Sequence, residues 1–89
     1  MIRREVTVRN RLGLHARAAA RFVHAATAFR SRVTLSREGR TMDGKSILGI
    51  LLLAASQGTA LELGAEGDDE AKAIEALTAL VDSGFGEGG

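Results

Sequence analysis

The chain has no cysteine, no proline, no tryptophan and no tyrosine, and only three aromatic residues, Phe22, Phe29 and Phe85, among 89. Without cysteine there is neither a disulfide framework nor a zinc–thiolate site. All three phenylalanines fall on or near segments that read as helices, so no aromatic platform exists on which RNA bases would stack, and no nucleic-acid partner is expected. No apolar run reaches the length that spans a bilayer. Met1-Ile2-Arg3-Arg4-Glu5 is not followed by a signal segment. We therefore expect a cytoplasmic protein with no membrane insertion.

What is present suits one small domain spanning residues 1–89, with 45% hydrophobic and 26% charged residues. The net charge of +1 conceals an asymmetry. Residues 1–45 carry eleven Lys/Arg against three Asp/Glu, and residues 46–89 carry one against eight. The basic half surrounds His15 in sequence and would draw an acidic or phosphorylated partner toward it.

Ile2 to Val8 alternates, with Ile2, Val6 and Val8 on one side, and reads as a half-buried strand. Ala16 to Thr27 has Ala19, Phe22, Val23 and Ala26 at helical spacing, with Arg17, Ala20, Arg21, His24 and Thr27 on the other face. Arg32–Ser36 and Arg40–Asp43 bracket Glu38-Gly39 as a hairpin whose glycine supplies a positive φ. Ile47 to Ala55 is nearly all apolar and reads as a helix capped by Ser46 and ended by Gly58. Thr59 to Glu66 alternates as a fourth strand. Asp68-Asp69-Glu70 opens a last helix with the charges its N-terminus favours. Its stripe is Ala71, Ile74, Leu77 and Val81, and Gly84 stops it. Residues 1–85 are expected to be ordered and 86–89 to form a frayed, glycine-rich tail. The order β-α-β-β-α-β-α, with one apolar face per strand, predicts an α+β fold: an antiparallel sheet with its helices on one side.

The stretch Asn10 to Phe22 carries the chemistry. A flexible glycine leads through His15 into an alanine-rich helix with no Ser, Thr, Asp or Asn immediately ahead to cap it. Its free N–H groups and the positive end of its dipole form an anion site beside the imidazole. Arg17 adds a planar donor fork. A neutral ring nitrogen beside such a site is suited to carrying a phosphoryl group, with the backbone of Ala16, Arg17 and Ala18 binding the phosphate. His24, two turns after Arg17 on the same face, is an exposed polar residue in reach of a docked partner. His15 and His24 do not pair as metal ligands, since nine residues put them on opposed sides of a helix. No metal and no cofactor is called for.

Gly39 to Ser46 matches the G-x-x-x-x-G-K-[ST] phosphate-loop pattern by letter. Such a loop follows a buried parallel strand and opens a long helix; here its middle reads as strand, and the match is accidental. Ser46 is both a cap and a candidate phosphorylation site, where a dianion would sit beside Ile47 and Leu48. The run Ile47–Leu53 has more apolar residues than a short helix can bury. We assign Ile50 and Leu53 inward and Ile47, Leu48 and Leu51 outward, toward a partner.

Gly13-Leu14-His15-Ala16-Arg17, then Gly44-Lys45-Ser46-Ile47-Leu48-Gly49-Ile50, then Gln57-Gly58, together resemble the HPr family, the histidine-containing phosphocarriers of the bacterial phosphotransferase system. The likeness runs nearly end to end and includes the spacing between motifs. It implies an open-faced β-sandwich, a four-stranded antiparallel sheet with three helices on one face. It also implies that His15 accepts phosphate at Nδ1 from phospho-enzyme I, charged by phosphoenolpyruvate, and passes it to enzyme IIA domains. Such a chain is a monomeric carrier, a substrate and donor for phosphotransferases and not itself an enzyme. Arg17 matches the family's phosphate-supporting arginine, and Ser46 the serine that HPr kinase/phosphorylase modifies in some bacteria. Docking would use Arg17, Ala20, His24, Ile47, Leu48 and Leu51. One position departs: the family usually has proline after the arginine, where this chain has Ala18. The alternative reading is a regulatory relative of the nitrogen-related branch that acts mainly by docking.

Overall fold

Alternating side chains set the sheet. In the computed structural model, which describes residues 1–87, β1 (Ile2–Thr7) runs antiparallel to β4 (Ala60–Glu66), with Val6 opposite Leu61. β2 (Arg32–Arg37) lies on the other side of β4, Val33 facing Ala65 and Leu35 facing Leu63, and β3 (Arg40–Asp43) pairs with β2 at the far edge. The strand order is β1-β4-β2-β3. Val6, Val33, Leu35, Leu61, Leu63 and Ala65 are buried, while Arg3, Glu5, Arg32 and Glu62 stay exposed. One face is covered and one is open, as the period of two requires.

The covered face takes three helices: α1 (Ala16–Thr27), α2 (Ile47–Leu51) and α3 (Glu70–Asp82). Ala18, Ala19, Phe22 and Ala26 of α1, Ile50 of α2, and Ala73, Ile74, Leu77 and Val81 of α3 join the strand residues in one core. This is the expected open-faced sandwich in the expected order. The α3 stripe shifts by two positions at its start, since Ala71 is exposed and Ala73 is buried. Both residues of the β2–β3 turn have positive φ, Glu38 at 49° and Gly39 at 81°. That turn and the strand after it occupy the segment that imitates a phosphate loop, so the match is one of letters alone.

The structure also departs from expectation at the end of the second helix and in the tail. The second helix ends at Leu51, not Ala55, and Ala54 turns left-handed (φ 50°). The carbonyls freed there are taken by a distant side chain: Arg37 Nη1 donates to Leu53 O and Ala54 O at 2.8 and 2.9 Å. The tail is not frayed at 86 and 87. A 3-10 turn, Gly84–Gly86, follows α3, and buried Phe85 anchors it in the core. Residues 88–89 of the expected fray lie outside the described residues.

Candidate functional site

The loop before α1 is fixed by one close approach. Gly13 has φ +70°, and a Cβ there would stand 2.5 Å from Ala55 O. Leu14 N–H donates to that same carbonyl at 2.9 Å. Glycine is required on both counts, and the result is that His15 enters at the N-cap position of α1.

No conventional capping residue precedes α1, and the structure gives the cap to the histidine itself. His15 Nδ1 accepts the Arg17 amide N–H at 3.3 Å, a long contact, and the His15 carbonyl accepts from Ala19 at 2.9 Å. The other amides of the first turn have no partner inside the helix. The ring is partly exposed, and its other nitrogen is engaged: Nε2 lies 2.6 Å from Glu87 Oε2. The second Glu87 oxygen, Oε1, accepts from Asn10 Nδ2 at 2.9 Å, and the same Nδ2 donates to Gly13 O at 2.7 Å. Two acceptors on one side fix which way the buried Asn10 amide faces. The Asn10 hydrogen bond holds the Glu87 carboxyl below the usual carboxylate range against the effect of burial, with help from His15 and Arg21.

Beside the ring lies a cleft of about 450 Å³ lined by Arg11, Leu12, Arg17, Arg21, Gly86 and Glu87. Three arginines against one carboxylate make it a place for an anion. Arg21 Nη1 also donates to Phe85 O at 2.6 Å, tying the tail to α1.

The remaining expected residues spread over α1 and α2. Ala16 and Arg17 are exposed in the first turn of α1, whereas Ala18 is fully buried. Ala20 and His24 lie exposed farther along the helix. Ser46 Oγ accepts from Gly49 N–H at 3.1 Å, a side-chain cap on α2. Ile50 and Leu53 point inward and Ile47 and Leu48 outward, 43% and 69% exposed. Leu51 corrects the assignment: it is partly buried against the core, and Leu52, 51% exposed, takes its place outside. Among the described residues no three His, Cys, Asp or Glu side chains gather as metal ligands.

Sequence reasoning placed Asn10 and Arg21 within the central stretch without giving them these contacts, and it missed Glu87. The available signal was a lone acid in the tail Gly84-Phe85-Gly86-Glu87, whose phenylalanine called for burial.

Comparison with known proteins is decisive about family. Residues 2–83 match the family model described as "PTS HPr component phosphorylation site". The chain belongs to the HPr family. It is 48% identical over 87 residues to the phosphocarrier protein HPr of Xylella fastidiosa, covering 98% of each chain. It is also 46% identical over 81 residues to the HPr-like protein Crh of Bacillus subtilis, covering 91% of this chain and 95% of Crh. Among solved structures, HPr-C-His from Thermoanaerobacter tengcongensis superposes with a TM-score of 0.94 at 45% identity, covering 98% of both chains. An HPr dimer from the same organism superposes at 0.78 with 46% identity, covering 92% of this chain and 94% of that one. These HPr structures share the fold described above, and the family is that of the phosphotransferase-system phosphocarriers.

Proposed function

We propose that this chain carries a phosphoryl group on His15 Nδ1, taking it from phospho-enzyme I and giving it to enzyme IIA domains in the cytoplasm. The observation that carries the reading is the His15 N-cap. Nδ1 faces the first-turn amides of α1, beside a cleft lined by Arg11, Arg17 and Arg21. In acceptance, the Nδ1 lone pair forms a bond to phosphorus as the N–P bond of the donor phosphohistidine breaks, and that electron pair returns to the donor ring. Donation reverses these roles. Catalysis is then positioning and charge stabilisation: the amides of Ala16, Arg17 and Ala18 and the Arg17 guanidinium hold the phosphoryl oxygens. The chain acts as a carrier and not as a catalyst.

Docking places Arg17, Ala20 and His24 of α1 together with Ile47 and Leu48 of α2 and Leu52 just after it against the partner, an apolar centre with a basic rim. Leu51 supports that surface from beneath. A monomer is the working state of this reading, although an HPr dimer is among the similar structures.

Incubation with phosphoenolpyruvate, magnesium and enzyme I, followed by intact mass measurement and acid treatment, tests it. One acid-labile phosphate is expected on the native chain and none on a folded His15→Ala variant. Labelling retained by that variant overturns the assignment.

A second reading rests on the likeness to Crh, which a solved structure describes as a catabolite repression protein. In it the chain docks on a regulatory partner, with Ser46 phosphorylated by an HPr kinase/phosphorylase. The two readings use the same face, and absence of histidine phosphorylation favours the second.

A further inference from the structure

The carbonyl of Gly13, the amide of Asn10, the carboxylate of Glu87 and the imidazole of His15 form an unbroken chain of hydrogen bonds at 2.7, 2.9 and 2.6 Å. It joins residues 77 and 72 positions apart in sequence. We propose that Glu87, oriented by Asn10, is a positioning residue for His15: it takes the Nε2 proton in a hydrogen bond, fixes the ring in that tautomer and leaves the Nδ1 lone pair free. The proposal deepens the carrier reading and rests on it.

Donors and acceptors around the ring select the tautomer. Asn10 Nδ2 is a donor, so Glu87 Oε1 accepts. Glu87 is held in its ionised form first by that hydrogen bond, with the Arg21 cation also favouring the carboxylate, so Oε2 accepts too. Nε2 must then carry the hydrogen. On the opposite side of the ring the Arg17 amide can only donate, so Nδ1 must present a lone pair. Both contacts select one tautomer, and a histidine's second nitrogen is commonly fixed by a carboxylate partner in this manner. The charged groups around the ring and its cleft are Arg11, from the loop, Arg17 and Arg21, from α1, and Glu87, from the tail.

The tail is built to deliver that carboxylate. Gly84, Phe85 and Gly86 all have positive φ, at 70°, 58° and 74°. A non-glycine residue in that region is strained, and Phe85 is kept there by burial and by the Arg21 hydrogen bond to its carbonyl.

In the transfer step, Nδ1 bonds phosphorus while Nε2 keeps its proton, so the phosphorylated ring is cationic and the Glu87 carboxylate stands against it. The carboxylate holds the proton at Nε2 without having to accept it. When the phosphoryl group leaves, the electron pair returns to Nδ1 and the ring is again neutral with hydrogen on Nε2. Atoms and charges balance with no further reactant.

Nitrogen-15 spectra of the imidazole, recorded on the intact chain, on Glu87→Ala and on Glu87→Gln, read the tautomer directly. A single Nε2–H form is expected in the native chain and a mixture of both forms in Glu87→Ala. Glu87→Gln should also mix, because its amide offers both a donor and an acceptor. With phospho-enzyme I as donor, Glu87→Ala is expected to lower kcat for acceptance by about tenfold, the lower end of the range for a metal-bound histidine that loses its outer partner, with KM for the chain unchanged. An unaltered tautomer in Glu87→Ala, or an unaltered kcat, overturns the proposal. If the native chain accepts no phosphate at all, the carrier reading fails, while the nitrogen spectra still decide whether Glu87 fixes the ring.

Discussion

The helices α1 and α3 both begin on a titratable side chain, His15 in one and Asp69 in the other, and the two starts differ in what that side chain does. The His15 side chain makes a single long contact to its own helix and lies beside a cleft lined by arginines. The Asp69 side chain gives no capping bond to the helix it opens. Its carboxylate reaches across to the loop before β2, where it accepts the Arg30 and Ser31 amides at 2.9 and 3.0 Å and the Ser31 hydroxyl. At the first start the donors remain available to a ligand, whereas at the second the acceptor is spent on the fold. A helix terminus becomes a site or a clamp according to whether its polar groups already have partners.

The largest expected effect breaks the clamp. The Ser31 hydroxyl first, then the Arg30 amide, hold the Asp69 carboxyl down from its ordinary 3.8 to about 2. A depressed carboxyl adds stability that is complete above its unfolded value and is lost as pH falls through the folded one. Stability should therefore drop between 3.8 and about 2, with Glu70 and Glu87, both also lowered, contributing to the same acid loss. Asp69→Asn should lower the thermal midpoint at neutral pH and flatten that acid limb, while the folded variant still accepts phosphate at His15. Thermal unfolding followed against pH checks it. Equal acid limbs in native chain and variant would show that the clamp is not the cause.

The start of α2 lies between these extremes, and Ser46 sharpens the comparison. Ser46→Ala removes the bond to Gly49 and should cost about 1 kcal/mol, measurable by denaturant unfolding, with phosphate acceptance unaffected. Ser46→Asp keeps a good cap and should leave stability nearly unchanged. It sets a negative charge beside exposed Ile47 and Leu48, so acceptance from enzyme I should slow several-fold through KM. If kinetics are unmoved in Ser46→Asp, Ser46 serves the helix alone.

How much of this was legible in the chain depends on the range of each interaction. Val6, Val33, Leu35, Leu61 and Leu63 declare their strands by alternation, and Ala19, Phe22 and Ala26 declare α1 by helical spacing, because both patterns are local. The His15 segment was legible for the same reason: its glycine, its histidine and its arginine are neighbours. The end of α2 was not, because Arg37, well before it in sequence, supplies the donors that let the helix stop at Leu51. The partners of His15 were hidden most completely. Glu87 sits 72 residues away among glycines whose composition suggests fraying, and only the burial of Phe85 and the Arg21 contact bring it back.

The smallest expected effect concerns Ala18, where the family usually has proline. The position is the third of α1, so its N–H has no intrahelical acceptor and proline removes no helical bond. The ring would stiffen the unfolded chain, a gain of about 0.4–1 kcal/mol. Against that, Ala18 is fully buried, and the added carbons must find room beside the core. These opposing contributions leave a net stability change of about 1 kcal/mol or less in Ala18→Pro, readable from the unfolding midpoint. Phosphate acceptance should persist on the Ala16 and Arg17 amides and the Arg17 guanidinium, and loss of the Ala18 donor should change the lifetime of the acid-labile phosphate only modestly. If Ala18→Pro instead abolishes acceptance, the extra N–H at residue 18 is a required phosphate donor. The start of α1 would then depend on its ligand as fully as the Asp69 carboxylate depends on Ser31.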